Sequence, residues 1–245
     1  MTKNCNTHGD YESIEMDLFN KVIWTGCPKC IEESEREAVN RIDEKEQQEK
    51  AKKLTKLYEA ATIPERFKHC TFETYTANTE PQRKALNTSV KYYTVFAKVK
   101  STGAALFYCG KYGTGKTHLA VAILNALIQT GKGSGKYTTT LRMIRDIRSS
   151  YRGGNFSEQQ LIDKYVNYPL LILDEVGVQF GTDGEKILLF EVINGRYENY
   201  KPSIIISNLS MKGITEYLGE RAIDRLKSKA GALVVMDWES WRGKE

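Results

Sequence analysis

Eight residues constrain this chain more than any others: Gly110-Lys111-Tyr112-Gly113-Thr114-Gly115-Lys116-Thr117. They fit G-x-x-x-x-G-K-[ST], and they lie between a strand-like run, ALFYC, and an amphipathic helical run, HLAVAILNALI. That strand-to-helix setting makes the pattern specific. Gly113 and Gly115 let the backbone curl so that successive N–H groups, with the positive end of a helix starting near Lys116, converge on a phosphate-sized target. Gly110 and Thr114 complete the cradle. Lys116 would bridge β and γ oxygens, the Thr117 hydroxyl would ligate magnesium, and His118 joins the set of cofactor-binding residues.

A hydrolytic site needs a second, acidic edge, and Leu170-Leu171-Ile172-Leu173-Asp174-Glu175 is a hydrophobic strand ending in two carboxylates. Asp174 is placed to hold magnesium, usually through water, and Glu175 to orient and deprotonate the attacking water. A further buried strand ends in Ser207-Asn208, where Asn208 could position that water; a turn-forming Asn is the plainer role for it.

Around these motifs the chain alternates apolar strand-like runs with helical stretches from Pro64 onward. Strands are expected at 105–109, 137–141, 170–174, 203–207 and 233–237. Helices are expected at 116–130, 141–151, 157–167, 184–199 and 211–228. The fold class is therefore α/β, a doubly wound, five-stranded parallel sheet over residues 62–245.

The 245 residues, 40% of them apolar, can bury a real core. No run of 18 apolar residues occurs and MTKNCNTHGD lacks the basic and apolar regions of a secretory signal, so a cytoplasmic protein without a membrane partner is expected. A net charge of +5 is compatible with a polyanionic partner and does not demand one. Residues 31–61 are dense in Glu, Lys, Arg, Gln and Ala, and read as a solvated helix or pair of helices.

Residues 1–30 are too few to hold a core without a staple. Cys5-x-x-His8 and, further on, Cys27-x-x-Cys30 have the spacing of a tetrahedral zinc site with three thiolates and one imidazole. A redox C-x-x-C and plain thiols are the competing readings. Cys70 and Cys109 read as small core residues.

These residues together resemble the DnaC and IstB group of AAA+ ATPases over roughly residues 62–240. The likeness rests on Ile63-Pro64-Glu65-Arg66-Phe67 with Cys70 to Tyr75, the loop GKYGTGKTHLA, LLILDEVGVQ, IIISN, and Leu218-Gly219-Glu220-Arg221-Ala222-Ile223-Asp224-Arg225-Leu226. The resemblance implies an adenine pocket after the first stretch and an arginine that reaches a neighbouring subunit's ATP, Arg225 first and Arg221 second. A surface charge is the alternative role for either. It also implies an ATP-dependent oligomer and no helical lid after the fifth strand. A zinc module ahead of such an ATPase resembles phage and prophage members of the group.

Within 141–152 the side chains of Arg142, Arg145, Arg148 and Arg152 fall three or four apart, while Leu141, Ile144, Ile147 and Tyr151 can face the core. In the family this place is similar to an element lining single-stranded DNA, with Tyr151 a stacking ring. A merely solvated helix carries the same pattern. The function implied is ATP-dependent loading of a replicative DnaB-type helicase onto single-stranded DNA, with residues 1–61 as the helicase-binding arm. The alternative is an IstB-like transposition helper acting with duplex DNA and a transposase.

Overall fold

The computed structural model describes residues 1–18, 21–152, 156–178, 182–227 and 231–243. The chain divides into two compact units, residues 1–55 and 56–245.

In the first unit, β1 (Thr2–Cys5) and β2 (Gly9–Glu12) form one antiparallel hairpin, and β3 (Glu15–Leu18) and β4 (Lys21–Trp24) a second. These strands are additional to the elements expected from sequence. Buried Ser13 joins them by donating its hydroxyl to Thr25 O at 2.8 Å. The charged run is one helix, α1 (Pro28–Ala61), with Pro at its first position where no N–H is needed. Its side chains are mostly exposed because so few are apolar.

The second unit runs α2 (Glu80–Thr94), α3 (Phe96–Thr102), β5 (Leu106–Gly110), α4 (Lys116–Gln129), β6 (Lys136–Thr139), α5 (Thr140–Arg148), α6 (Glu158–Asn167), β7 (Leu171–Asp174), α7 (Asp183–Glu198), β8 (Ser203–Ser207), α8 (Met211–Leu218), α9 (Glu220–Lys227) and β9 (Ala232–Met236). No helix is expected from sequence over 80–102, yet two form there. The single helix expected at 211–228 is two, because Gly219 (φ 84°, ψ 153°) leaves helical space between them.

The five strands β5 to β9 pair in the order β6-β7-β8-β5-β9, all parallel. Central β5, β7 and β8 are buried along their whole length, as expected of parallel strands covered on both faces, and this explains why LILD and SIIIS are continuous runs. Edge strand β9 alternates, with Leu233 and Val235 exposed. Helix α6 starts on a reciprocal cap in which Gln160 N donates to Ser157 Oγ (3.2 Å) and Ser157 N to Gln160 Oε1 (2.8 Å).

One cation lies at the centre of this packing. Arg196 of α7 is 1% exposed, and its guanidinium donates to Tyr165 O, Val166 O and Tyr168 O at 2.8–2.9 Å, to Ser203 Oγ at 2.9 Å and to Pro202 O. It joins the end of α6 to the start of β8, with the negative end of a helix in place of a carboxylate. The order of the sheet then puts the carboxyl ends of β5, β7 and β8 side by side, where open α/β sheets bind ligands.

Candidate functional site

A cavity of about 640 Å³ opens at those strand ends. It is lined by Gly113 to His118 from the loop after β5, by Asp174 and Glu175 after β7, and by Asn208 after β8. Three motifs separated in sequence thus share one pocket. Arg66, Phe67, His69, Thr74 and Tyr75 line its other side, and buried Asn125 holds that stretch by donating to Lys68 O and Cys70 O at 3.1 and 2.8 Å.

The loop has the backbone its glycines permit. Gly115 (φ 93°) caps α4, and a Cβ there would meet the Tyr75 ring at 2.7 Å; at Gly113 (φ 72°) a Cβ would lie 1.9 Å from Ser240 Oγ. Gly110 ends β5 beside Met236. Lys116, 6% exposed, donates to Gly110 O at 2.8 Å and to Lys111 O. Its burial lowers its pKa, an effect opposed by the charge of Asp174. It also reaches Thr114 Oγ1 at 3.5 Å, and an ammonium held by neutral loop oxygens is a donor that phosphate oxygens would take over. Thr114 is buried, with Oγ1 donating to Lys111 O at 2.9 Å. Burial keeps His118 below its usual pKa, and its Nε2 lies 2.9 Å from Thr71 O.

Thr117 Oγ1 donates to Asp174 Oδ2 at 2.8 Å, so the hydroxyl and carboxylate expected to share magnesium already meet. Two small hard oxygen donors facing a phosphate cradle suit that ion. Glu175 is exposed to the cavity and has φ 59°, an uncommon conformation for a residue other than glycine. Its turn is clamped to β8: Val176 N donates to Ile206 O (3.0 Å) and the buried Ser207 hydroxyl to Val176 O (2.6 Å). Asn208 is half-buried beside it.

Several lining residues are not apparent from the sequence motifs. Tyr137 of β6 donates its hydroxyl to Asp174 Oδ2 at 2.8 Å. After β9, Trp238 Nε1 donates to Thr114 O (3.1 Å) and Trp241 N to Gly113 O (2.8 Å), so the segment WESWR lies directly on the phosphate loop. Only a recurring Trp-x-x-Trp marks it in sequence.

The arginines of α9 lie apart from this cavity. Arg221 is exposed, whereas Arg225 is half-buried with its guanidinium 5.0 Å from the Phe190 ring and 5.8 Å from that of Tyr197. On α5, Arg142 and Arg145 are exposed, and Arg148 pairs with Glu185 at 3.3 Å rather than standing open. Met143, Ile144 and Ile147 fill the core face, with Leu141 only half-buried, because the helix begins at Thr140 and turns Met143 inward. The side chains of Tyr151 and Arg152 lie outside the described residues.

In the first unit, Cys5, His8, Cys27 and Cys30 bring their ligand atoms within 4.8 Å of one another. His8 Nδ1 lies 3.3, 3.8 and 3.9 Å from the sulfurs of Cys30, Cys27 and Cys5, and Cys5 and Cys30 are 3.4 Å apart. Tetrahedral zinc with these ligands has edges of about 3.5–3.8 Å, so the cluster fits that ion. Backbone N–H donation from Thr7 and His8 brings Cys5 down to about 6, while its hydrogen bond with Cys5 pushes Cys30 up to about 12. Behind the cluster, His8 Nε2 lies 3.1 Å from Glu33 Oε1.

Among the described residues no helix is long and apolar enough to cross a membrane. The family model described as IstB-like ATP binding protein matches residues 31–245. The replicative helicase loader DnaC of Escherichia coli K12 is 31% identical over 199 residues, 81% of this chain and 80% of that protein. The E. coli K12 protein YdaV, uncharacterized, is 30% identical over 207 residues, 84% of this chain and 81% of its own length. Among solved structures, the crystal structure of the DnaC helicase loader superposes with a TM-score of 0.64 at 26% identity, covering 71% of this chain and all of that one. A family match over most of the chain and these likenesses establish that the protein belongs to the IstB-like family of ATP-binding proteins, with an α/β AAA+ fold, a five-stranded parallel sheet, and a cysteine cluster and helical region ahead of it.

Proposed function

We propose that this protein is an ATPase that loads a replicative DnaB-type helicase onto single-stranded DNA during replication. The observation that carries the reading is the joint one: a phosphate loop, an acidic turn and an Asn-ended strand share one cavity, within a chain that matches a replicative helicase loader over four-fifths of both lengths.

In this reading ATP binds with its phosphates against the N–H groups of Gly113 to Thr117. Lys116 moves from the loop carbonyls to the β and γ oxygens. Thr117 and Asp174 would hold magnesium, which when bound offsets phosphate charge. Glu175 takes the proton of the attacking water, and Asn208 orients that water against the γ-phosphate. A protomer in an ATP-dependent oligomer supplies a cation from α9 to its neighbour, with Arg225 as the finger after release from its aromatic contacts, or with exposed Arg221 in that role. Arg142, Arg145 and Arg148, with Tyr151 and Arg152, form the single-stranded DNA surface. Cys5, His8, Cys27 and Cys30 would hold zinc, which when bound would cross-link residues 1–30. Residues 1–30 and the helical linker 31–61 together make the helicase arm, ahead of an ATPase domain over 62–245, an arrangement of the phage or prophage type acting in the cytoplasm.

The test is a pull-down of the host replicative helicase, with and without ATP, by the full chain and by a chain starting at Ala61. Binding by the full chain alone supports the loader reading and locates the arm. Binding by neither sinks it and favours the transposition helper, for which duplex DNA and a transposase are the next partners.

A further inference from the structure

The carboxylate of Asp174 is held by donors from three places. Oδ1 accepts Glu175 N at 2.7 Å, and Oδ2 accepts two hydroxyls at 2.8 Å, one from Thr117 of the phosphate loop and one from Tyr137. Tyr137 belongs to edge strand β6, where it stands opposite Ile172 of β7, so its side chain reaches along the neighbouring strand to the carboxylate at that strand's end. The ring is 4% exposed, with Phe67 at 6.4 Å between centroids.

Both ends of Tyr137 are tied. Thr62, which closes α1 in a left-handed conformation (φ 49°), donates its hydroxyl to Tyr137 O at 2.8 Å, while the phenol is bound to Asp174. To hold magnesium, Thr117 would offer an oxygen lone pair while its hydroxyl still donates to Asp174 Oδ2, which requires Asp174 to keep one orientation. A second donor on the same oxygen, from a side chain whose own backbone is held by Thr62, provides that.

We propose that Tyr137 is the positioning residue for the magnesium-binding carboxylate: its hydroxyl acts through Asp174, by fixing the rotamer of that side chain. This rests on the reading of the cavity as an ATP and magnesium site. Groups that orient a metal ligand from behind commonly set metal affinity by about 10–100-fold. The hydroxyl carries that role, so phenylalanine removes it and keeps the ring.

The experiment uses the full chain and a fluorescent, non-hydrolysable ATP analogue, titrated at increasing magnesium and again in EDTA. The wild-type protein is expected to bind more tightly as magnesium rises. Tyr137→Phe is expected to need about 10-fold more magnesium for half of that gain, to reach the wild-type plateau at excess magnesium, and to match wild type in EDTA. An unchanged half-saturating magnesium concentration in Tyr137→Phe overturns the assignment. Weaker binding in EDTA overturns it too, since that would be a packing defect. In an Asp174→Asn background the Tyr137→Phe change should add nothing, and independent additive losses would overturn the proposed route through Asp174. If wild type itself shows no magnesium dependence, the ATP and magnesium reading fails first and the role of Tyr137 with it.

Discussion

Replacing Arg196 with Met removes a buried cation and all five of its acceptor contacts while keeping an unbranched apolar stem of similar reach. Bonds from a charged donor are worth about 1.5–3 kcal/mol each, so five bound the gross gain at roughly 7–15 kcal/mol. Desolvating a fully buried guanidinium takes back several kcal/mol, consistent with burial lowering its pKa. What remains in the variant is a set of dry carbonyls at the end of α6 and at Pro202, none of which Met can satisfy. Each buried acceptor left unsatisfied costs about 1–3 kcal/mol, and with the guanidinium's desolvation cost relieved we expect Arg196→Met to lose about 3–5 kcal/mol in all. For a domain of this size that is a drop in Tm of about 6–20 °C. Thermal and urea unfolding followed by circular dichroism would measure it. A Tm within about 2 °C of wild type, with an unchanged urea slope, would show that desolvation cancels the five bonds and that Arg196 does not join α6 to β8 energetically.

Glu175→Gln should bind ATP as tightly as wild type and hydrolyse it about 100-fold or more slowly; equal steady-state phosphate release would remove Glu175 as the base. Lys116→Ala should lose ATP binding, read by the same fluorescent analogue, and retention of wild-type affinity would refute the phosphate contact. Cys27→Ser should lower bound zinc by atomic absorption, and Glu33→Ala should weaken zinc about 10–100-fold in chelator competition by freeing the His8 ring. An unchanged zinc content in Cys27→Ser would leave the cluster without its metal role.

Much of this was legible from the chain alone. G-x-x-x-x-G-K-T after an apolar strand, LILDE, and IIISN each report a strand end through local pattern, and the structure places all three ends at one cavity. The two Cys/His pairs likewise come together as a cluster. Such features depend on residues within a few positions of one another, and so on hydrophobic period, glycine conformational freedom and ligand spacing. Start signals for α2 were also present, in Thr79, Pro81 and Gln82, although the sparse apolar spacing of that segment masks the helix.

Strand order and cross-chain contacts decided the rest. Tyr137 is merely the aromatic residue of KYTT until β6 is laid beside β7 and its phenol reaches Asp174. Arg196 has no motif around it that marks it for burial until α7 packs over the end of α6. Arg225 reads as an outward arginine until α9 folds against Phe190 and Tyr197. In each case the partner is dozens of residues away in the chain or on another element, and the sequence carries no local periodicity that encodes it. A loop announces its chemistry by its own backbone, whereas the donor that steadies a carboxylate is chosen by which strand the sheet sets next to it.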